Sequence, residues 1–178
     1  MPTITGLAGL MGSGKSHRAN EMDGVIIPFA GSLKDIACKL LWGVGKEDDC
    51  FFEEGDKTED WRGPRNTEFT GREFLQRLGA TIRETDPDFW VNLWSQKVIK
   101  AYQAGDNVIV PDVRYLNEFE SLYAFEGIFD RAEVILCNYK SYRYDDTNTH
   151  ESEKFAKELL KLGKVDGDLI TRDYKYGS

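Results

Sequence analysis

Hydrophobic residues fall in short runs separated by stretches with helical spacing. Thr3 to Ala8 is short and β-prone and opens into glycines, and Lys15 to Met22 can follow as a helix. Val25 to Phe29 is a continuous apolar run, the pattern of a parallel strand covered on both faces. Ser32 then stands as an N-cap for a helix over Leu33 to Trp42, which Gly43 ends. Thr70-x-x-Glu73 is a capping box that opens a helix to about Glu84. Asp86-Pro87 supplies an N-cap and a first-turn proline for a helix to Ala104, stopped by Gly105. The pattern next predicts a strand over Val108 to Pro111, a helix over Asn117 to Phe125 and a strand over Ala132 to Leu136. A helix over Glu151 to Leu162 and a short fifth strand over Asp168 to Ile170 complete the chain.

Strands alternating with helices predict an α/β fold, a five-stranded parallel sheet with helices on both faces and right-handed crossovers. Two successive helices between the second and third strands break that rhythm. We therefore expect a helical insertion, residues 45–104, inside one domain spanning 1–178.

Composition narrows the class. At 178 residues and 40% hydrophobic content the chain can bury a core. Its 23 basic against 31 acidic side chains give a net charge of −8, which disfavours binding to DNA, RNA or anionic lipid. Three cysteines without C-x-x-C spacing and two histidines point to neither a disulfide scaffold nor a structural zinc site. No basic leader precedes an apolar run, and no run approaches the roughly 20 residues a membrane span needs. The sequence reads as a cytoplasmic protein without a membrane partner, and a homodimer stays open.

Charge is unevenly distributed. Gly45 to Asp60 carries eight acids against Lys46 and Lys57, net −6, and is expected to be an exposed, mobile loop. Arg62 to Arg83 follows with five arginines against Glu68 and Glu73, net +3.

The motif that carries chemistry is Gly9-Leu10-Met11-Gly12-Ser13-Gly14-Lys15-Ser16, which fits G-x-x-x-x-G-K-[ST] between an expected strand and helix. Gly12, Ser13, Gly14 and their neighbours can turn successive backbone N–H groups inward as an anion nest. Lys15 would reach the β- and γ-phosphates of ATP, and Ser16 would ligate Mg²⁺. His17 follows directly and is expected to pack on the loop.

On a wheel of ~100° per residue with Arg72 at zero, Gln76 falls at about 40°, Arg83 at about 20° and Gly79 at about −20°. Phe74, Leu75, Leu78 and Ile82 centre near about 255°, on a separate core stripe, and Arg77 lies off both at about 140°. Arg72 and Arg83 suit a phosphate or carboxylate by bidentate pairing, or are ordinary solvated arginines. The glycine between them is a place where a ligand can approach.

Asp112 ends an apolar strand, as a Walker-B carboxylate does, with Arg114 beside it; alternatively it caps the next helix. Asn117 and Glu118 either help to position Arg114 or cap that helix. Trp90 is either core or a stacking surface for a base.

These segments resemble the phage deoxynucleoside monophosphate kinases, a branch of the P-loop nucleoside and nucleotide kinases. The likeness rests on Gly9 to Ser16, Phe29-Ala30-Gly31-Ser32-Leu33-Lys34, Gly71 to Gly79 through Arg83 with Trp90 beyond, Pro111 to Glu118, and His150-Glu151-Ser152-Glu153. The resemblance implies a P-loop kinase fold, ATP and Mg²⁺ as cofactors, and residues 45–104 as the acceptor-binding lobe. It implies that Lys34, Arg72, Arg83 and Arg114 hold the monophosphate, with Asp112 near Mg²⁺ or the attacking phosphate, in the host cytoplasm if the gene is a phage's. Ser32 stands where the family has proline. Cys137-Asn138-Tyr139-Lys140-Ser141-Tyr142-Arg143 replaces the lid's Arg-Pro, leaving Arg143, Arg131 or Lys140 to supply the lid charge, Arg143 being preferred.

The expected activity is ATP-dependent phosphorylation of deoxynucleoside 5′-monophosphates. The alternatives are a P-loop kinase of another phosphorylated acceptor, such as dephospho-coenzyme A, and a non-catalytic ATP-binding module.

Overall fold

The computed structural model of the chain describes residues 1–42, 71–138, 154–161 and 166–170. The acidic loop, the Thr70 side of the capping box, Arg143, Lys140 and His150 to Glu153 lie outside the described residues.

Among the described residues the chain is α/β, with six helices and a five-stranded mixed sheet. In chain order these are β1 (Thr3–Ala8), α1 (Lys15–Glu21), β2 (Val25–Ile26), α2 (Ala30–Trp42), α3 (Gly71–Thr85), α4 (Phe89–Ala104), β3 (Val108–Val113), α5 (Leu116–Tyr123), β4 (Arg131–Leu136), α6 (Lys154–Lys161) and β5 (Leu169–Ile170).

The strand order is β2-β3-β1-β4-β5. β1 pairs in parallel with β3 and β4, and β2 in parallel with β3. β5 runs antiparallel to β4, which corrects the expected all-parallel sheet. The cause is where the chain re-enters. Gly167 N–H donates to the Leu136 carbonyl and Leu136 N–H to the Asp168 carbonyl, so β5 starts level with the end of β4 and can only run back along it.

The second strand is also corrected. It is an edge strand of two residues, and Val25 and Ile26 are 42% and 41% exposed, so the apolar run does not mark a doubly covered strand.

Helices do lie on both faces at β1, where successive side chains alternate. Leu7 packs with Ala19 of α1, Ile109 and Cys137. Gly6 points the other way, and a Cβ on it would sit 2.6 Å from Leu122 Cδ1 of α5 and 2.9 Å from Val113 Cγ2. Glycine at this position lets α5 approach the sheet.

The chain divides into two compact units, Met1–Phe29 with Trp94–Ser178, and Ala30–Leu93, the division falling inside α4. The first holds the sheet. In the second, Ala37, Cys38 and Leu41 of α2 pack with Phe74, Leu75 and Leu78 of α3, three of the four residues assigned to the core stripe. Cys38 is disulfide-bonded.

α2 begins at Ala30, and Ser32 is buried within it rather than capping it. α4 runs from Phe89, directly after a turn in which the Asp86 carboxylate accepts the Asp88 N–H at 3.0 Å and the Asp86 carbonyl the Phe89 N–H at 3.2 Å, the hydrogen bond expected of the N-cap that Asp86-Pro87 signals. No described helix is long and apolar enough to cross a membrane.

Candidate functional site

The loop that leaves β1 is shaped by glycines and closed by its own lysine. Gly9, Gly12 and Gly14 have φ of 151°, 78° and 88°, values that side chains rarely adopt. A Cβ on Gly9 would collide with the Cys137 carbonyl oxygen, so the loop leaves the sheet in backbone contact with the end of β4. Ser13 N–H donates to the Leu10 carbonyl, and Arg18 N–H to the Gly14 carbonyl, which starts α1.

The buried Lys15 ammonium donates to the carbonyls of Gly9 and Leu10, each at 2.6 Å, and lies 3.4 Å from Ser13 Oγ. It therefore draws two loop carbonyls to one point beside Ser13. Ser13 is buried under this contact, while Ser16, in the first turn of α1, is exposed. His17 does not pack on the loop. Its side chain is 70% exposed, with Nε2 3.4 Å from Glu21 Oε1 one turn along α1.

Asp112 stands at the same end of the sheet, since Ala8 of β1 is level with Val113 of β3. Between Gly6 and Ala8 the β1–β3 register slips by one residue, and the extra length falls at Pro111 and Asp112. Proline has no N–H to place in the ladder, and an irregularity accommodates it while re-aiming the next side chain. From β1 the chain crosses to β2 on one side, and from β3 it crosses over β1 to β4 on the other. The glycine loop and Asp112 therefore share the topological switch point, where open α/β sheets bind ligands.

The Asp112 carboxylate accepts the Phe29 N–H at 2.8 Å, the residue before α2. It does not cap α5, the sequence alternative. That task falls to the buried Glu118, whose Oε2 accepts the N–H groups of Arg114 at 2.8 Å and Tyr115 at 3.1 Å. Glu118 thus both caps the helix and fixes the backbone of Arg114. Asn117 Oδ1 takes the Glu118 N–H at 3.0 Å.

Sequence reasoning missed a polar group beside the loop. Asp166 Oδ1 accepts the Asn138 N–H at 2.6 Å and lies 4.0 Å from Arg18 Nη1 on α1. Only the placement of Arg18 one turn after Lys15 hinted at it. Burial pushes the Cys137 thiol up, against the pull of Arg18 and Lys15.

In the second unit, Lys34 lies on α2 and Arg72, Gln76 and Arg83 on α3. Lys34, Gln76 and Arg83 are half-buried, and Arg77 is exposed. The space over Gly79 is not open. A Cβ there would lie 3.2 Å from Leu33 Cδ2 and 3.4 Å from Arg83 Nη1. The glycine serves a close helix approach instead of a ligand. Trp90 is 2% exposed and donates its indole N–H to the Gly79 carbonyl at 3.2 Å, so its ring offers no face to a base.

Among the described residues no group of three or more His, Cys, Asp or Glu side chains stands ready for a metal ion. Mg²⁺ does not require one, because it is commonly held by one or two protein oxygens together with substrate phosphates. No protein-family model matches the chain, and no curated protein matches it significantly.

Proposed function

We propose that the chain is a P-loop kinase that transfers the γ-phosphoryl group of ATP to a deoxynucleoside 5′-monophosphate, giving ADP and a deoxynucleoside diphosphate. The observation that carries the reading is the glycine loop closed around Lys15 at the switch point of the sheet, with Asp112 at the same edge.

In this reading Gly12, Ser13, Gly14, Lys15 and Ser16 hold the ATP phosphates. The exposed Ser16 hydroxyl and the Asp112 carboxylate are the protein oxygens suited to Mg²⁺, which when bound offsets charge on the transferred group. Lys34, Arg72, Gln76, Arg83 and Arg114 hold the acceptor, and Arg143 supplies the lid charge. A monophosphate is already ionised near neutral pH, so positioning and charge neutralisation suffice without a strong base. A chain with ten arginines and two histidines suits that demand.

The test is a coupled ADP-release assay with each deoxynucleoside and ribonucleoside monophosphate and with dephospho-coenzyme A. Turnover with deoxynucleotides supports the reading. Turnover with dephospho-coenzyme A alone assigns a different acceptor, and ATP binding without acceptor-stimulated ADP release assigns a binding module.

A further inference from the structure

The chain at β2 donates to β3 from every second residue, as a parallel ladder requires. Val25 N–H goes to the Asn107 carbonyl at 2.8 Å and Ile27 N–H to the Ile109 carbonyl at 2.9 Å. The next step of that alternation would take the Phe29 N–H to the Pro111 carbonyl. It goes instead to Oδ1 of the Asp112 side chain, at 2.8 Å. A carboxylate has taken the place of a ladder acceptor, at the irregularity that falls on Pro111 and Asp112.

The donor is itself held by Trp94 of α4. The fully buried Trp94 donates its indole N–H to the Ile27 carbonyl at 3.0 Å, and its ring packs on that of Phe29 with centroids 4.2 Å apart. The indole also meets Phe125 edge to face at 5.7 Å. Pro28, between the two residues that Trp94 holds, has a fixed φ. The direction of the Phe29 N–H is therefore set by packed, buried groups.

We propose that Trp94 and Phe29 are positioning residues for the Asp112 carboxylate, setting the orientation in which it meets a divalent cation. They act through the Phe29 N–H, since a hydrogen bond to a ligating carboxylate fixes how it faces the metal. The inference rests on the reading of Asp112 as a protein oxygen for Mg²⁺.

The test uses the full chain and reads metal affinity rather than turnover. ATP is titrated calorimetrically with and without Mg²⁺, and the ratio of the two affinities gives the metal's contribution. Trp94→Phe keeps a ring and loses the indole N–H. Phe29→Leu keeps the backbone N–H and loses the ring stack, and it carries the test alone if Trp94→Phe does not fold. Each is expected to lower the ratio about 3- to 10-fold, within the range for coupled neighbours, with ATP affinity in the absence of Mg²⁺ unchanged. In an Asp112→Ala background neither should lower it further. A wild-type ratio in the folded variants, an equal loss of ATP affinity with and without Mg²⁺, or an undiminished effect in the Asp112→Ala background overturns the positioning role. If Asp112→Ala itself leaves the ratio unchanged, the metal reading of Asp112 fails and takes the inference with it, an outcome distinct from the others.

Discussion

The Asp112 carboxylate holds the Phe29 N–H at 2.8 Å, across 83 positions of sequence. Phe29 stacks on Trp94 with ring centroids 4.2 Å apart, and the Trp94 indole N–H donates to the Ile27 carbonyl at 3.0 Å. A carboxylate at the end of β3 ties down the backbone of the segment that follows β2. One side chain is thus asked to serve both structure and, on the proposed reading, a metal ion.

These two duties separate by substitution. Asp112→Ala leaves the Phe29 N–H without this acceptor and should lower stability by about 1–3 kcal/mol in a denaturant titration. Asp112→Asn keeps an oxygen there and should cost less stability, yet lose most turnover. An Asp112→Asn variant with full turnover would leave the residue a structural role only.

Lys15→Met is expected to abolish turnover and weaken ATP binding. Because Lys15 also gathers the carbonyls of Gly9 and Leu10, amide exchange across Gly9 to Ser16 should quicken even without nucleotide. Unchanged phosphoryl transfer would remove the loop from the mechanism.

The glycine loop was legible because its residue types are forced by backbone conformation, and such constraints are local. The alternation of strands and helices was legible for the same reason. What the sequence did not show depends on distant partners. Ser32 is a plausible cap by residue type, yet α2 begins two residues before it, at Ala30. Strand position is likewise non-local: Val25 to Phe29 has the apolarity of a central strand, but pairing places β2 at the edge. The direction of β5 is not written in Leu169 and Ile170, since it follows from the level at which the chain returns. The helical wheel separated the core stripe of α3 correctly, yet it read Gly79 as open, because a wheel carries no information about Leu33.

Gly9→Ala should be among the most damaging single changes in the chain. The added Cβ would meet the backbone carbonyl of Cys137 and come 2.5 Å from Ser13 Oγ, and a backbone carbonyl cannot rotate away. A loss of more than about 2 kcal/mol is expected in a denaturant titration, in the range for strained backbone and overpacking. Stability within about 0.5 kcal/mol of wild type, the range of a neutral surface change, would place the loop elsewhere.

Cys137 predicts an alkaline limb in stability. Burial raises its pKa in the folded chain, so the folded state keeps the thiol proton to higher pH than the unfolded state. Below the ordinary thiol range both states hold the proton and stability is unaffected. As pH rises through that range the unfolded chain ionises first, and stability falls until the folded thiol also ionises. Cys137→Ser should flatten this decline in unfolding curves recorded across alkaline pH. An unchanged slope would assign the decline to other groups.

The arginines of α3 give the sharpest test of the acceptor assignment. Arg72 shares the wheel stripe of Gln76 and Arg83, whereas Arg77 lies off it and is exposed. Arg72→Ala should lose about 2–5 kcal/mol in acceptor kcat/KM, the range for truncating one partner of a buried hydrogen-bonded charge pair, with ATP affinity hardly moved. Arg77→Ala should behave nearly as wild type, because Arg77 lies off that stripe. The comparison is internal, since both substitutions remove one positive charge from the same helix and differ only in the face from which it is removed. Net charge or helix propensity alone would make the two variants alike. If Arg72→Ala weakens ATP and spares the acceptor, or if Arg77→Ala is the more damaging, the helical-face argument fails and the acceptor phosphate must be held by other residues.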